Sequence, residues 1–263
     1  MKTWKLRYEL QYDFHAPVTS HVYSLRCFPA ETDTQIVHTC NYEIFPGSVQ
    51  STGVDSFGNR LLMGRAEAPH REFKVCVKAE ISTWNYLEKE EKPDYQLGMY
   101  RVPTGLTAPG RKIEEFYRSY PQDRKPNPWQ TAEEWMYRIG SAFSYLKNST
   151  GITTTAESAF EQGYGVCQDY AHIMLALCRR SGLTARYQIG AIPGEGESHA
   201  WVEVLWNGFW KGFDPTNQKL TDESYIRFAC GRDAGDCSLS RGVFRGDPCH
   251  SQHILLIMEE QVL

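Results

Sequence analysis

The sequence lacks an excess of charge of either sign. Its 263 residues include 28 Lys and Arg against 32 Asp and Glu, which gives a formal net charge of -4. No run of like charges forms a basic arm or an acidic tail. Because nucleic-acid binding needs a strongly basic surface, this balance argues against a nucleic-acid partner.

Long apolar runs are also missing. No stretch approaches the roughly 18 apolar residues of a membrane-spanning helix. The first residues, MKTWKLRYELQYDFHAPV, alternate charged and aromatic side chains and lack the apolar segment of a signal peptide. We therefore expect a soluble, cytoplasmic protein without a membrane partner.

Paired Cys-x-x-Cys motifs are absent, although the chain has eight cysteines. In the cytoplasm these should be mostly free thiols rather than a disulfide framework. A zinc site built from Cys230, Cys237, Cys249, His250 and His253 is the alternative interpretation. The spacing argues against it, because two of these residues are adjacent instead of spaced for one face. We expect no metal site.

Periodicity divides the chain into two parts. The first part alternates apolar and charged positions, as in Trp4 to Tyr12, with glycine and asparagine turns between the alternating runs. Residues 91–110 are rich in proline and glycine and suit a linker. We predict a small β-rich domain over residues 1–95 and a second domain over residues 96–263 that includes this linker.

Helical patterns follow the linker. Thr131 and Glu134 form a capping box ahead of apolar residues at helical spacing, which predicts a helix from that point. A short helix is expected near residues 156–162. A third is expected from about residue 167 to residue 180, closed by Gly182.

Cys167 lies between a glycine-rich turn and that third helix, in the stretch GYGVCQDYAHIMLALC. At a helix N-terminus a thiol meets the positive end of the dipole and unpaired amides, which favour thiolate and can stabilise an oxyanion. Gly163 and Gly165 leave room for a substrate backbone, so Gly165 is a substrate-binding candidate. A buried structural thiol is the alternative interpretation, and it fits Cys178 on the same helix.

The dipeptide Asn207-Gly208 predicts a tight hairpin turn between strands at 198–206 and 209–214. A two-residue turn at this place sets Asp214 opposite Trp201. His199 lies two residues from Trp201 on the same face, and therefore diagonally beside Asp214. A hydrogen bond between them would fix the imidazole tautomer.

The rest of the hairpin is expected to divide between two faces. Trp201 and Trp210 share the face of His199 and are candidates for an aromatic wall that contacts substrate, although core packing explains them equally well. The residues expected to point into a core are Val202, Val204, Trp206, Phe209 and Phe213.

Cys167, His199 and Asp214 together form the grouping that covalent acyl transfer needs. A thiolate attacks, an imidazolium protonates the leaving amine, and a carboxylate holds the imidazolium. Spacing alone does not show that Cys167 meets His199.

The segments GYGVCQDYAHIMLALCRRSGLTARY, SHAWVEV, WKGFDPTN and RGVFRG resemble the bacterial transglutaminase-like family over roughly residues 100–263. The β-rich first part, with DSFGN, resembles the N-terminal domain of that family. The resemblance implies an α+β fold with a papain-like core, in which a cysteine-bearing helix packs on an antiparallel sheet. It implies a triad of Cys167, His199 and Asp214 that requires no cofactor or metal.

The expected function is hydrolysis of a peptide or glutamine-like amide through an acyl-enzyme, as in a cysteine protease. Transglutaminase-type transfer to an amine and a catalytically silent binding module are the alternatives. The expected partner is a peptide or protein substrate, and the sequence indicates neither its identity nor an oligomeric state.

The oxyanion donor is left open between several side chains. Gln162 resembles the glutamine that papain-like enzymes use, and Tyr164, Gln168 or a tryptophan are alternatives. Asp169 is expected to complement the helix N-terminus, and His172 to serve in helix packing or capping.

Overall fold

The computed structural model describes residues 1–120, 127–247 and 249–261. Its strands are β1 (Lys2–Leu25), β2 (Gln35–Phe45), β3 (Ser48–Val54), β4 (Arg60–Ala66), β5 (His70–Thr83), β6 (Glu88–Lys89), β7 (Ser144–Tyr145), β8 (Tyr164–Gly165), β9 (Ala185–Ala191), β10 (Gly194–Gly196), β11 (His199–Trp206), β12 (Phe209–Asp214), β13 (Lys219–Leu220), β14 (Ile226–Gly231), β15 (Ser240–Arg245) and β16 (His250–Glu260). Its helices are α1 (Asp94–Leu97), α2 (Arg111–Arg118), α3 (Pro128–Ala142), α4 (Ala156–Gln162) and α5 (Cys167–Arg180), with a 3₁₀ turn at Gly98–Tyr100. With 20% helix and 47% strand, the α+β prediction is confirmed.

The larger sheet is organised around β1. The first half of β1 pairs with β5 and β16, and its second half pairs with β4 and β15. Trp4, Leu6, Tyr8 and Leu10 are buried on one face, which confirms the period-two pattern. Burial of each such side chain contributes about 2 kcal/mol, so this stripe is a principal source of stability.

The two C-terminal strands complete this sheet. β16 runs antiparallel to β1 from the pair Trp4 and Glu260 to the pair Phe14 and His250. The predicted ranges 1–95 and 96–263 therefore do not separate the two sheets. Local periodicity contains no information about a strand partner so far away in sequence.

The smaller sheet has the order β13-β12-β11-β9-β14, and β6 also pairs with β12. α5 packs on the face that carries Val202, Val204 and Phe213, and α3 and α4 pack beside it. The other side of this sheet meets the larger sheet, where Phe228 packs edge-on against Tyr8 with ring centroids 6.1 Å apart. The predicted cysteine-bearing helix on an antiparallel sheet is thus confirmed.

α5 has the predicted bounds. Its end is closed by Gly182 at φ +78°, and the amide of Leu183 donates to the carbonyl of Cys178 at 2.9 Å. Glycine is suited to this left-handed position because it has no Cβ.

The predicted start of α3 at Thr131 is wrong. The helix begins at Pro128, and the Asn127 side chain accepts a hydrogen bond from the amide of Gln130 at 3.0 Å. An asparagine N-cap followed by proline at the first helical position starts a helix more effectively than the capping box further along.

Two other expectations need correction. Residues 91–110 are not only a linker, since α1 and the 3₁₀ turn bury Leu97 and Tyr100 against Trp210. Phe209, expected in the core, is 39% exposed because it lies beside the hairpin turn. Within the described residues, no helix is long and apolar enough to cross a membrane.

Candidate active site

Cys167 is the first residue of α5. α4 is capped by Gly163, whose φ of +82° turns the chain sharply into β8 and then into α5. The Cys167 thiol is partly buried, and its Sγ lies 4.0 Å from the carbonyl oxygen of Ser198. The nucleophile candidate therefore lies at the positive end of a buried helix and next to the residue that precedes β11.

Asp169 caps the start of α5. Its Oδ2 accepts from the amide of Val166 at 2.8 Å and from the hydroxyl of Thr150 at 2.6 Å. A Cβ on Gly165 would lie 2.5 Å from this oxygen, so the cap requires glycine there. The capping role expected of Asp169 is seen, and contact between Gly165 and substrate stays a prediction.

The hairpin that carries His199 and Asp214 has the predicted register. Asn207 and Gly208 adopt φ angles of +51° and +80°, the conformation that the asparagine-glycine pair favours. His199 Nε2 and Asp214 Oδ2 are 2.7 Å apart. The diagonal contact inferred from the turn is therefore present.

Asp214 is fully buried and receives several hydrogen bonds. Its Oδ2 accepts from Tyr225 Oη at 2.6 Å and from Asn217 Nδ2 at 2.7 Å. Its Oδ1 accepts from the amides of Thr216 and Asn217 at 3.0 and 3.1 Å. Burial alone would raise the pKa of Asp214, but these donors and His199 lower it below its ordinary value. The group is held as a carboxylate.

His199 is 8% exposed and lies between a thiol and a carboxylate. Burial would lower its pKa, but hydrogen bonds to Asp214 and Cys167 raise it to about 9. Because Nε2 faces Asp214, Nδ1 is the ring nitrogen left for Cys167. The structure thus brings together the three residues that the sequence predicted, including the contact that spacing did not show.

Two members of this site were missed by sequence reasoning. Asn217 follows Asp214 in the segment DPTN, and an aspartate whose side chain accepts from amides two and three residues on is a common turn pattern, so this signal was available. Tyr225 lies 11 residues after Asp214 in sequence, outside the hairpin, and no local pattern marks it.

The predicted oxyanion donors are occupied elsewhere or exposed. Gln162 is exposed and donates its Nε2 to the carbonyl of Tyr164 at 2.9 Å. Gln168 donates to the carbonyl of Gly151 at 3.4 Å. Tyr164 itself is 40% exposed. The role of Gln162 stays a prediction.

Both candidate tryptophans are buried, each with 2% of its surface exposed. Trp201 packs edge-on against Tyr225 with ring centroids 5.2 Å apart. Trp210 packs edge-on against Tyr100 and donates its Nε1 to Glu90 at 2.8 Å. These rings are occupied by packing, and their contact with substrate stays a prediction.

His172 is fully buried on α5. Its Nε2 accepts from the amide of Ala234 at 3.1 Å, and its ring packs near Tyr187. Burial lowers its pKa to about 4. These contacts agree with the packing role that was expected.

The five residues of the zinc alternative lie in two different environments. Cys230 and Cys237 are buried, whereas Cys249, His250 and His253 are exposed on or beside β16. Over residues 1–120, 127–247 and 249–261, no group of three or more His, Cys, Asp or Glu is placed to hold a metal ion. All eight cysteines are free thiols.

A cysteine at the start of a helix, with histidine and aspartate on the adjoining antiparallel sheet, defines the transglutaminase-like class of fold. The sequence model of the transglutaminase-like superfamily matches residues 118–215. The model of the bacterial transglutaminase-like N-terminal region matches residues 4–82. The chain therefore carries a transglutaminase-like core and a bacterial transglutaminase-like N-terminal region.

Other proteins are similar to this chain in sequence or in fold. An uncharacterized protein of Mycobacterium leprae is 27% identical over 92% of this chain and 94% of its own length. An uncharacterized protein of Mycobacterium tuberculosis is 36% identical over 40% of this chain and 39% of its own. A crystal structure named as a "putative cysteine protease" from Cytophaga hutchinsonii superposes with a TM-score of 0.81 at 19% identity, covering 100% of this chain and 91% of that one. At this identity the last comparison supports the fold.

Proposed function

We propose that this protein is a thiol-dependent hydrolase that cleaves a peptide or glutamine-like amide through an acyl-enzyme. The observation that carries the proposal is the contact of His199 with both the Cys167 thiol and the buried Asp214 carboxylate. A structural cysteine needs neither partner. The match of residues 118–215 to the transglutaminase-like superfamily supports the same chemistry.

In the first half of the reaction, Cys167 is a thiolate paired with the imidazolium of His199. The thiolate attacks the amide carbon, an S–C bond forms, and the carbonyl electron pair moves to oxygen. When the pair returns, the C–N bond breaks and His199 gives its proton to the departing amine. Asp214 holds the imidazolium in place by the 2.7 Å contact.

In the second half, His199 accepts a proton from water as the water oxygen attacks the thioester carbon. The C–S bond then breaks, the carboxylic acid leaves, and the thiolate and imidazolium are restored. If a primary amine replaces water in this step, the product is a new amide, which is the transglutaminase alternative.

The proposed substrate is a peptide or protein, and the proposed location is the cytoplasm. Eight free cysteines support a reducing compartment. Comparison of soluble and periplasmic fractions by immunoblotting tests the location, and recovery in the periplasmic fraction would overturn it.

The direct test is trace labelling with iodoacetamide from pH 5 to 9, read by mass spectrometry at each cysteine. Cys249 is the exposed reference thiol, and Cys178 is the buried one. We expect Cys167 to react faster than Cys249 at and below neutral pH, because thiolate is the reactive form. His199→Ala should weaken this preference.

Equal rates at Cys167 and Cys249, unchanged in His199→Ala, would reject the hydrolase and favour the silent binding module. Turnover of labelled casein, with and without a primary amine, then separates the two acyl acceptors. Release of shorter peptides supports hydrolysis, whereas incorporation of the amine into casein supports transfer.

A further inference from the structure

The acyl-transfer chemistry proposed above requires donors for the oxyanion. One is the amide of Cys167, since the first amides of a helix have no acceptor within the helix. A second donor from a side chain is expected for full stabilisation. Gln162, the sequence-predicted donor, is exposed and gives its Nε2 to the carbonyl of Tyr164.

Tyr145 occupies a more favourable place. It lies on β7, which runs parallel to β8 and pairs Tyr145 directly with Gly165, two residues before the nucleophile. The pairing is fixed by hydrogen bonds from the amide of Leu146 to the carbonyl of Gly165 at 2.8 Å and from the amide of Ser144 to the carbonyl of Gly163 at 3.1 Å. The backbone of Tyr145 is thus attached to the turn that presents Cys167.

The direction of the Tyr145 side chain follows from its partner. Directly paired residues of adjacent strands share a face of the sheet. A Cβ on Gly165 would meet the side chain of Asp169 in the first turn of α5, so the shared face is the one turned toward that helix start. Tyr164, one position earlier on β8, is on the opposite face.

The surroundings of the Tyr145 hydroxyl agree with this direction. Burial raises its pKa, and the charges of Cys167 and Glu197 raise it further. The phenol therefore keeps its proton at neutral pH and is a hydrogen-bond donor. With 49% of its surface exposed, the side chain is also within reach of a bound substrate.

We propose that the Tyr145 hydroxyl donates a hydrogen bond to the oxyanion that forms when Cys167 attacks a carbonyl group, a role that rests on the proposed hydrolase function. As the S–C bond forms, the electron pair on the carbonyl oxygen is stabilised by the Tyr145 O–H and the Cys167 N–H. Neither donor loses its proton. The pair returns to carbon as the leaving group departs, and the hydrogen bond weakens.

Two reactions of the same thiol test this role. Acylation of Cys167 by p-nitrophenyl acetate passes through a tetrahedral oxyanion, whereas alkylation by iodoacetamide displaces iodide without one. In Tyr145→Phe we expect the acylation burst to slow about 100-fold, the effect typical of a lost oxyanion donor. The alkylation rate should stay within about twofold of the parent, because thiolate formation is untouched.

Tyr137→Phe is the matched control, since it removes a phenol hydroxyl from a tyrosine of similar exposure, 47% against 49%, on α3. It should alter neither rate, and circular dichroism of both variants checks folding. If Tyr145→Phe acylates as fast as the parent, or slows in both reactions equally, the oxyanion role is wrong.

Cys167→Ala separates this failure from that of the proposed function. If it removes the burst while Tyr145→Phe keeps it, the tyrosine proposal alone fails. If Cys167→Ala keeps the burst, the hydrolase itself fails.

Discussion

Two buried histidines of the transglutaminase-like core behave in opposite ways. His199 is 8% exposed and His172 is 0% exposed, so burial lowers the pKa of both. At His199, hydrogen bonds to Asp214 and Cys167 reverse the effect and raise the pKa to about 9. At His172 the nearby charges do not outweigh burial, and the pKa falls to about 4. Both side chains are buried, so the difference in their pKa values comes from their partners. Asp214 and Cys167 stabilise the protonated ring of His199, and within the described residues His172 has no comparable partners.

The two cysteines of α5 also differ in their surroundings. Cys167 lies in the first turn beside His199, whereas Cys178 is fully buried, and burial raises its pKa to about 12. The first turn of α5 thus carries the proposed nucleophile, and the remainder of the helix forms the core.

The largest expected effect comes from replacing each cysteine of α5 by alanine, which separates the proposed nucleophile from the core thiol. Cys167→Ala should lower turnover of labelled casein about 10³-fold or more, because the nucleophile is lost. Cys178→Ala should keep turnover and lower the free energy of unfolding by about 1 kcal/mol, through a small cavity. Urea denaturation measures the second effect. Equal activity of both variants would contradict the contrast.

Asp214→Asn removes the charge that keeps His199 protonated. In the parent, activity should be present below and lost above a pH of about 9, where His199 gives up its proton. Without the carboxylate, burial lowers that pKa, so the alkaline limb of kcat/KM should move to lower pH. Turnover at pH 7 should fall strongly, but by less than in Cys167→Ala, because loss of the orienting carboxylate costs less than loss of the nucleophile. An unchanged pH profile would show that Asp214 does not act through His199.

Tyr225→Phe tests the support of that carboxylate. Loss of the 2.6 Å hydrogen bond to Asp214 should lower kcat about tenfold with little change in KM, since a hydrogen bond to a charged group is worth roughly 1.5 kcal/mol. Tyr170→Phe, which loses a 2.7 Å bond to the carbonyl of Phe143, is the matched control and should affect stability alone. Equal kcat values for the two variants would assign Tyr225 a purely structural role.

His172→Gln should leave turnover within about twofold of the parent, since His172 does not contact the site. The folded-state pKa of His172 lies below its ordinary value of 6.5. This group therefore contributes stability above pH 6.5 that is lost as the pH falls toward 4, by up to roughly 3 kcal/mol. Urea denaturation at pH 7.5 and 4.5 should show a smaller pH dependence in the variant. The same dependence in both would contradict a neutral His172.

Local features of the site could be read from the sequence. The bounds of α5 followed from its apolar period and Gly182, and the Asn207-Gly208 turn determined which residues face each other across β11 and β12. The pair His199 and Asp214 could therefore be placed before the structure was known. Local turn chemistry fixes such contacts because few backbone conformations satisfy it.

Contacts between distant segments could not be read in this way. The approach of Cys167 to His199 depends on how α5 packs on the sheet, and the bond from Tyr225 depends on a chain segment outside the hairpin. The burial of Trp201 and Trp210 depends on neighbours from other segments, which side-chain alternation does not identify. Alternation gives the face of a side chain but not what covers that face.

The pairing of β1 with β16 has a consequence for synthesis on the ribosome. Lys2 and Glu260, joined by a salt bridge, are 258 residues apart in the chain. β16 also pairs with β10, immediately before the segment of Glu197 and Ser198 that lies beside the thiol. The growing chain must therefore emerge almost to residue 260 before this segment gains its backbone partner. Assembly of this part of the candidate site is therefore deferred until long after Cys167 itself has been synthesised.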